Sequence, residues 1–328
     1  MSTARSSARS NMRTDVITAC VVFALLAAVP LVGEAYWLRL GTTMLMYAVL
    51  ALSWNFIGGM AGYPSFATAA FFGLGAYAGG VAQKFGAPML LAWGAAGLLA
   101  FLFAAALGLA LLRLRGHYFA IASLVVAEVL RELINSATDL TGGGMGLNLP
   151  LRAGQSVQDQ ANFFFWTMLA LAGIATAATL ATLHGKLGFG LRCIQQNESA
   201  ADMLGVNTTL YKTAAFALSA VFTGIAGAVY ASWVNYIEPP DVFDVLYSVK
   251  PIVMVLLGGA GSVFGPIVGA GLFLGLEELV WRRFLEVHTG VLGLLIVLLV
   301  LFLPKGLAGL ARRAKKVPVE KMRAEKAA

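Results

Sequence analysis

The chain has 328 residues, 59% of them hydrophobic and 12% charged, with a mean hydropathy of +0.81. A soluble domain carries roughly 25% charged residues, so a soluble enzyme, a disordered chain and a disulfide-stapled secreted domain are excluded, and a polytopic membrane protein remains. The net charge of +7 is concentrated at the ends: residues 1–15 and the tail from Lys305 carry +8 between them, leaving −1 for the rest.

Basic ends on an apolar body are a topology signal. A nucleic-acid-binding protein would need a folded basic face with a reading element, and the sequence offers none. The predicted organisation is a basic cytoplasmic N-terminus over 1–15, one transmembrane domain over 16–303 with a cytoplasmic loop at 184–212, and a basic cytoplasmic tail over 304–328.

Apolar runs follow in order at about 16–32, 42–57, 65–83, 88–112, 118–135, 162–183, 213–234, 249–257, 263–280 and 289–303. A spanning helix needs roughly 20 residues, which most of these runs approach. The first run has the basic start of a secretory signal. Pro30 and Leu31 follow its alanines, however, and the run reads as an uncleaved span. With Arg5, Arg9 and Arg13 inside, alternation places Arg113, Arg115 and the 184–212 loop inside as well. The segments 136–161 and 235–248 then fall outside.

An inside tail requires an even number of crossings. The short run 249–257 must therefore cross, or nearly cross, as a broken helix that ends at Gly258-Gly259-Ala260-Gly261. The rival reading makes 249–280 one long span and exports the tail. The first places sixteen basic residues inside against six outside, so the expected fold is an all-α bundle of about 10 crossings with both termini cytoplasmic. A similar glycine break occurs at Gly58-Gly59-Met60-Ala61-Gly62. Paired broken helices point to a transport pathway, although glycines also serve ordinary close packing.

Few residues carry chemistry. Glu128, Arg131 and Glu132 share one helix face at i, i+3 and i+4. Mid-span charges face protein or water, so these residues line a path or form a pair that locks helices together. Glu277 and Glu278, followed by Arg282 and Arg283, read as interfacial anchors. Cys20 and Cys193 form no CxxC spacing, and His117, His184 and His288 lie far apart, so neither a disulfide nor a metal site is expected. There is no GxxxxGK[ST], HExxH or GxSxG motif. If ATP drives transport, another subunit must hold the nucleotide.

The loop 184–212 is the most informative polar stretch. Asn197 or Ser199 can cap a short helix through Ala200 and Ala201, with Gly205 ending it. Such a helix suits docking into a partner's groove, or lying on the headgroups.

Glu198-Ser199-Ala200-Ala201-Asp202-Met203-Leu204-Gly205 is similar to the Glu-Ala-Ala…Gly coupling segment of ABC importer permeases. The wider text resembles the permeases of branched-chain amino acid ABC importers, of the LivM type, over about residues 42 to 310. The matching segments are Trp54-Asn55-Phe56-Ile57-Gly58-Gly59, Ser65 to Tyr77, Leu112 to Ala120, the Glu128 and Arg131 pair and Thr141 to Leu147. Tyr211-Lys212, Gly224 to Ala228, and Gly258 to Ser262 with Gly265-Pro266 continue the series.

The resemblance implies a transport subunit that is not itself an enzyme, in a bacterial inner membrane. A second, related permease would complete the pore. An extracytoplasmic solute-binding protein would deliver the solute, and two cytoplasmic ATP-binding subunits would use the ATP, with no cofactor on this chain. On this analogy Arg192, Glu198, Ala200, Ala201 and Gly205 couple to the ATPases. Gly58, Gly59, Gly62, Ser65, Thr68, Glu128, Arg131, Gly258 and Gly259 line or flank the path.

The chain departs from the family after Gly62. Tyr63, Ala67 and Thr68 stand where Gln, Gly and His or Asn are usual. Urea, short amides and other amino acids therefore stand as alternative solutes. A stand-alone channel or proton-coupled carrier using Glu128 is the alternative of a different class.

Overall fold

The computed structural model describes residues 2–28, 30, 34–114, 116–150, 154, 156–283, 290 and 293, with backbone alone for 2–14 and 281–283. Apart from residues 290 and 293, the expected last span at 289–303 lies outside the described residues, as does the basic tail. The major helices are α1 (Ser2–Ala27), α2 (Ala35–Trp54), α3 (Thr68–Lys84), α4 (Met89–Leu111) and α5 (His117–Ser136). After the single turn α6 (Thr138–Thr141) come α7 (Val157–His184), α8 (Lys186–Gln196), α9 (Glu198–Met203) and α10 (Thr208–Val234). The short α11 (Pro239–Val242), then α12 (Leu246–Gly258) and α13 (Gly265–Arg283), complete the described chain. Two strands, β1 (Leu147–Asn148) and β2 (Tyr236–Ile237), pair antiparallel, with Leu147 opposite Ile237.

Four segments among the described residues are long and apolar enough to cross a membrane: Ala35–Gly59, Met89–Leu111, Val157–His184 and Thr208–Val234. The protein is a multi-pass, all-α membrane protein. Its packing has the inverted logic of such proteins. On α4, Ala92, Ala96, Ala100, Ala104 and Gly108 recur every fourth residue and are buried, whereas Leu90, Leu91, Leu98, Leu102 and Leu109 are exposed. Lipid is as apolar as leucine, so helices associate through close van der Waals fit of small residues. Hydroxyls of Thr42, Ser53, Thr176, Thr179 and Thr223 donate to carbonyls one turn back. This satisfies them where water is absent.

The centre of the bundle is α10, wedged between α3 and α4. A Cβ on Gly75 would lie 2.1 Å from the Gly224 carbonyl oxygen, and one on Gly227 would lie 2.0 Å from that of Phe72. Only glycine permits this backbone approach. The contacts of Gly75 with Gly224 and of Gly79 with Ala228 make α3 and α10 parallel neighbours.

The second glycine break is present. Helix α12 stops after 13 residues at Gly259, whose φ is 114°, a conformation open to glycine. The chain then turns back on itself. Gly258 packs on Gly265, and Gly269 packs on the Met254 carbonyl, so α12 and α13 form an antiparallel hairpin. One continuous helix over 249–280 is not formed.

Candidate functional site

The first break is a π-helical turn, Asn55–Gly59, followed by a turn and irregular chain to α3. Its aim comes from Asn55, which is fully buried. The Asn55 side-chain amide donates to the Ser262 carbonyl at 2.9 Å, and its Oδ1 accepts from the Gly261 N–H at 2.8 Å. A Cβ on Gly59 would sit 2.8 Å from the Gly261 nitrogen. The two breaks, some two hundred residues apart in sequence, therefore meet face to face. Gly59 meets the second break directly, Gly58 faces the Trp54 ring of its own helix, and Gly258 and Gly259 pack on Gly265 within the second break.

The 184–212 loop folds as two short helices beside it. Of the two candidate caps it is Asn197 that acts, accepting from the Ala200 N–H at 3.0 Å. Gly205, with φ 83°, ends the segment. Arg192 folds back to donate to the Leu183 and Gly188 carbonyls at 2.8 and 3.1 Å, fastening α8 to the end of α7. Ala201 is buried. Met203 and Leu204, each 82% exposed, form the most prominent apolar knob of the loop.

Glu198, one of the coupling residues that the resemblance implies, turns inward. The buried Lys212 ammonium donates to Glu198 Oε1 at 2.6 Å, to the Leu112 carbonyl at 2.9 Å and to the Tyr63 hydroxyl at 3.1 Å. Tyr63 in turn donates to Glu198 Oε2 at 2.5 Å, and the ammonium stands 4.7 Å above its ring centroid. Gln195 adds a hydrogen bond to the Gly59 carbonyl at 3.0 Å and packs on Gly62. A polar chain thus runs from α8 and α9 through the first break to the second. Lys212, Gln195 and Asn55 were not singled out as site residues from the sequence. The available signals were a lysine one turn into an apolar helix and an asparagine ahead of the glycines.

A separate cavity of about 630 Å³ opens beside α5. It is lined by Phe66, Val125, Glu128, Arg131, Phe243, Asp244 and Ser248, among others. Glu128 and Arg131 pair along one helix, with side chains 63% and 40% exposed. The pair therefore does not lock two helices of this chain together. Ser65 and Thr68 are buried and not among the lining residues. They belong to the chain segment behind the cavity, whose shape is held from two sides. The Phe66 N–H donates to Ser123 Oγ of α5 at 2.9 Å, and Ser248 Oγ of α12 donates to the Phe66 carbonyl at 2.6 Å.

Glu277, expected as an interfacial anchor, has a partner within the chain. It pairs with Lys250 at 2.7 Å across the α12–α13 hairpin, with Lys250 also over the Tyr47 ring. Tyr236 in β2 donates to Glu238 at 2.7 Å, and this bond raises the phenol above its ordinary range. Among the described residues no group of three His, Cys, Asp or Glu converges as for a metal ion.

The family model described as the permease component of the branched-chain amino acid transport system matches residues 36–302. The high-affinity branched-chain amino acid permease protein LivM of Salmonella typhimurium is 28% identical over 314 residues, covering 88% of this chain and 73% of the relative. LivM of Escherichia coli K12 is 28% identical over 304 residues, covering 85% and 71%. The branched-chain amino acid transport system permease protein LivH of the same organism is 28% identical over 198 residues, covering 57% and 63%. No solved structure matches significantly.

Proposed function

Because the chain belongs to the branched-chain amino acid transport permease family, we propose that it is one of two different permease subunits of an ATP-driven importer in a bacterial cytoplasmic membrane. Both termini face the cytoplasm, where two separate ATP-binding subunits hold and use the nucleotide. An extracytoplasmic binding protein delivers the solute. Branched-chain amino acids are the solute class, after the transport systems for which the LivM and LivH relatives are named. Urea and short amides remain the alternatives at the Tyr63–Thr68 departure.

The observation that carries this reading is the 184–212 loop. It presents an apolar knob, Met203 and Leu204, at one end of a polar chain that reaches both glycine breaks. A partner that grips the knob can bias two packings of the broken helices, which is what alternating access requires. Half-helices that meet at a junction are also how membrane transporters build a path.

The face of α5 supports the second permease. A charge exposed to lipid at mid-helix costs about 2.5–3.5 kcal/mol, yet Glu128 and Arg131 are open to the outside of this chain. Their face must meet water or another protein. The cavity beside them is then half of a chamber that the second permease completes.

The test is coexpression of the tagged chain with a candidate second permease and ATPase pair. Copurification of all three with the chain, and leucine uptake that stops when the ATPase is inactivated, is the expected result. Leucine uptake by the chain alone, unaffected by ATP, would overturn the proposal.

A further inference from the structure

We infer that Tyr63, Glu198 and Lys212 form a rigid transmission joint, which makes α9 and the first glycine break move as one body. This deepens the permease reading and rests on it. Four elements converge there: α9 through Glu198, the first break through Tyr63, the start of α10 through Lys212, and the end of α4 through the Leu112 carbonyl. An ammonium has three N–H donors, and here each has one acceptor. Tyr63 closes the triangle by donating to the second oxygen of Glu198. The Lys212 side chain is 4% exposed and that of Glu198 15%.

That burial decides the mechanics. Removing one partner from a buried, hydrogen-bonded ion pair costs on the order of a hundredfold or more in the equilibrium. A pull on Met203 and Leu204 therefore does not peel α9 away from the joint. It carries Tyr63 along, and with Tyr63 the segment 60–66 that runs from the glycine junction to the cavity wall at Phe66. Docking and transmission are thus divided between residues. The exposed knob takes the partner, and Glu198, facing inward, hands the motion to the membrane segment.

The joint predicts a specific failure. With the polar triangle removed and its volume kept, ATP hydrolysis and solute movement come apart. The experiment uses the full transporter in proteoliposomes and measures leucine uptake and ATP hydrolysis in the same vesicles. It compares wild type, Tyr63→Phe and the triple variant Y63F/E198Q/K212M. Solute moved per ATP is expected to fall at least about fivefold in both variants, the lower end of measured couplings between sites. A purely structural role lowers both rates together and leaves their ratio at the wild-type value, and that result overturns the joint. If the triple variant fails to assemble, the ratio in Tyr63→Phe decides, because that change removes one hydroxyl and no charge. Wild-type vesicles that show no ATP-driven uptake would instead overturn the permease reading, and the joint with it.

Discussion

Replacing Asn55 by leucine tests whether the two glycine breaks are held together by that one side chain. Asn55 is fully buried and supplies an acceptor to Gly261 N–H and a donor to Ser262 O, at 2.8 and 2.9 Å. Leucine fills a similar volume and supplies neither. Each orphaned buried group costs about 1–3 kcal/mol, so two cost about 2–6 kcal/mol, partly offset by about 1 kcal/mol from added apolar contact. We predict a net loss of about 3 kcal/mol, which is on the order of a hundredfold in the unfolding equilibrium. The assay is detergent titration of the purified protein in mixed micelles, with Asn55→Asp beside it. Aspartate keeps the acceptor for Gly261 but sets a carboxylate against the Ser262 carbonyl, so it should be no better than leucine. A loss below about 0.5 kcal/mol for Asn55→Leu, the range of ordinary surface changes, would refute the idea that this bridge joins the breaks.

Gly75→Ala should destabilise the protein by about 2 kcal/mol or more, because its Cβ meets backbone rather than a movable side chain. Gly94→Ala, on an exposed face of α4 with nothing within 4 Å, should be neutral or stabilising by up to about 1 kcal/mol. Thermal unfolding of the two variants side by side separates these outcomes. Met203→Ser with Leu204→Ser should leave stability within about 0.5 kcal/mol while ATPase copurification falls at least about tenfold, the equivalent of about 1.4 kcal/mol of contact. Undiminished copurification would place the docking surface elsewhere. Arg131→Gln should change stability by no more than about 0.5 kcal/mol, since its pair is exposed along one helix. If its face lines the path, uptake falls clearly in the same variant, and unchanged uptake removes Arg131 from the path.

Much of the fold was legible because glycine interrupts apolar runs visibly. The breaks at Gly58–Gly62 and Gly258–Gly261 stand out as gaps in hydropathy, and both are present in the structure. Their meeting was not legible, because it depends on one amide reaching across 207 residues of sequence. The spacing of Glu128 and Arg131 correctly put them on one face. It left open whether they line a path or lock helices together, since spacing holds no information about neighbouring helices.

Lys212 shows the limit most clearly. Counted along the chain it is one more inside basic residue, of the kind that sets topology. In the fold it is buried at the centre of a polar triangle. A lysine on the surface and a lysine paired inside look identical in one dimension. The distinguishing partner, Glu198, lies 14 residues upstream on a different helix. The partner of Glu277 was equally hidden, because Lys250 sits across a hairpin that only the glycine break creates.

On the proposed function, this chain moves solute only as part of an ATP-driven assembly. The most direct measurement is labelled-leucine accumulation in proteoliposomes holding the chain with its partner permease, ATPases and binding protein, with and without ATP. Accumulation against a gradient is expected when ATP and every subunit are present, and none when this chain or ATP is omitted. Equal accumulation in vesicles lacking this chain, or in vesicles lacking ATP, would contradict the proposal.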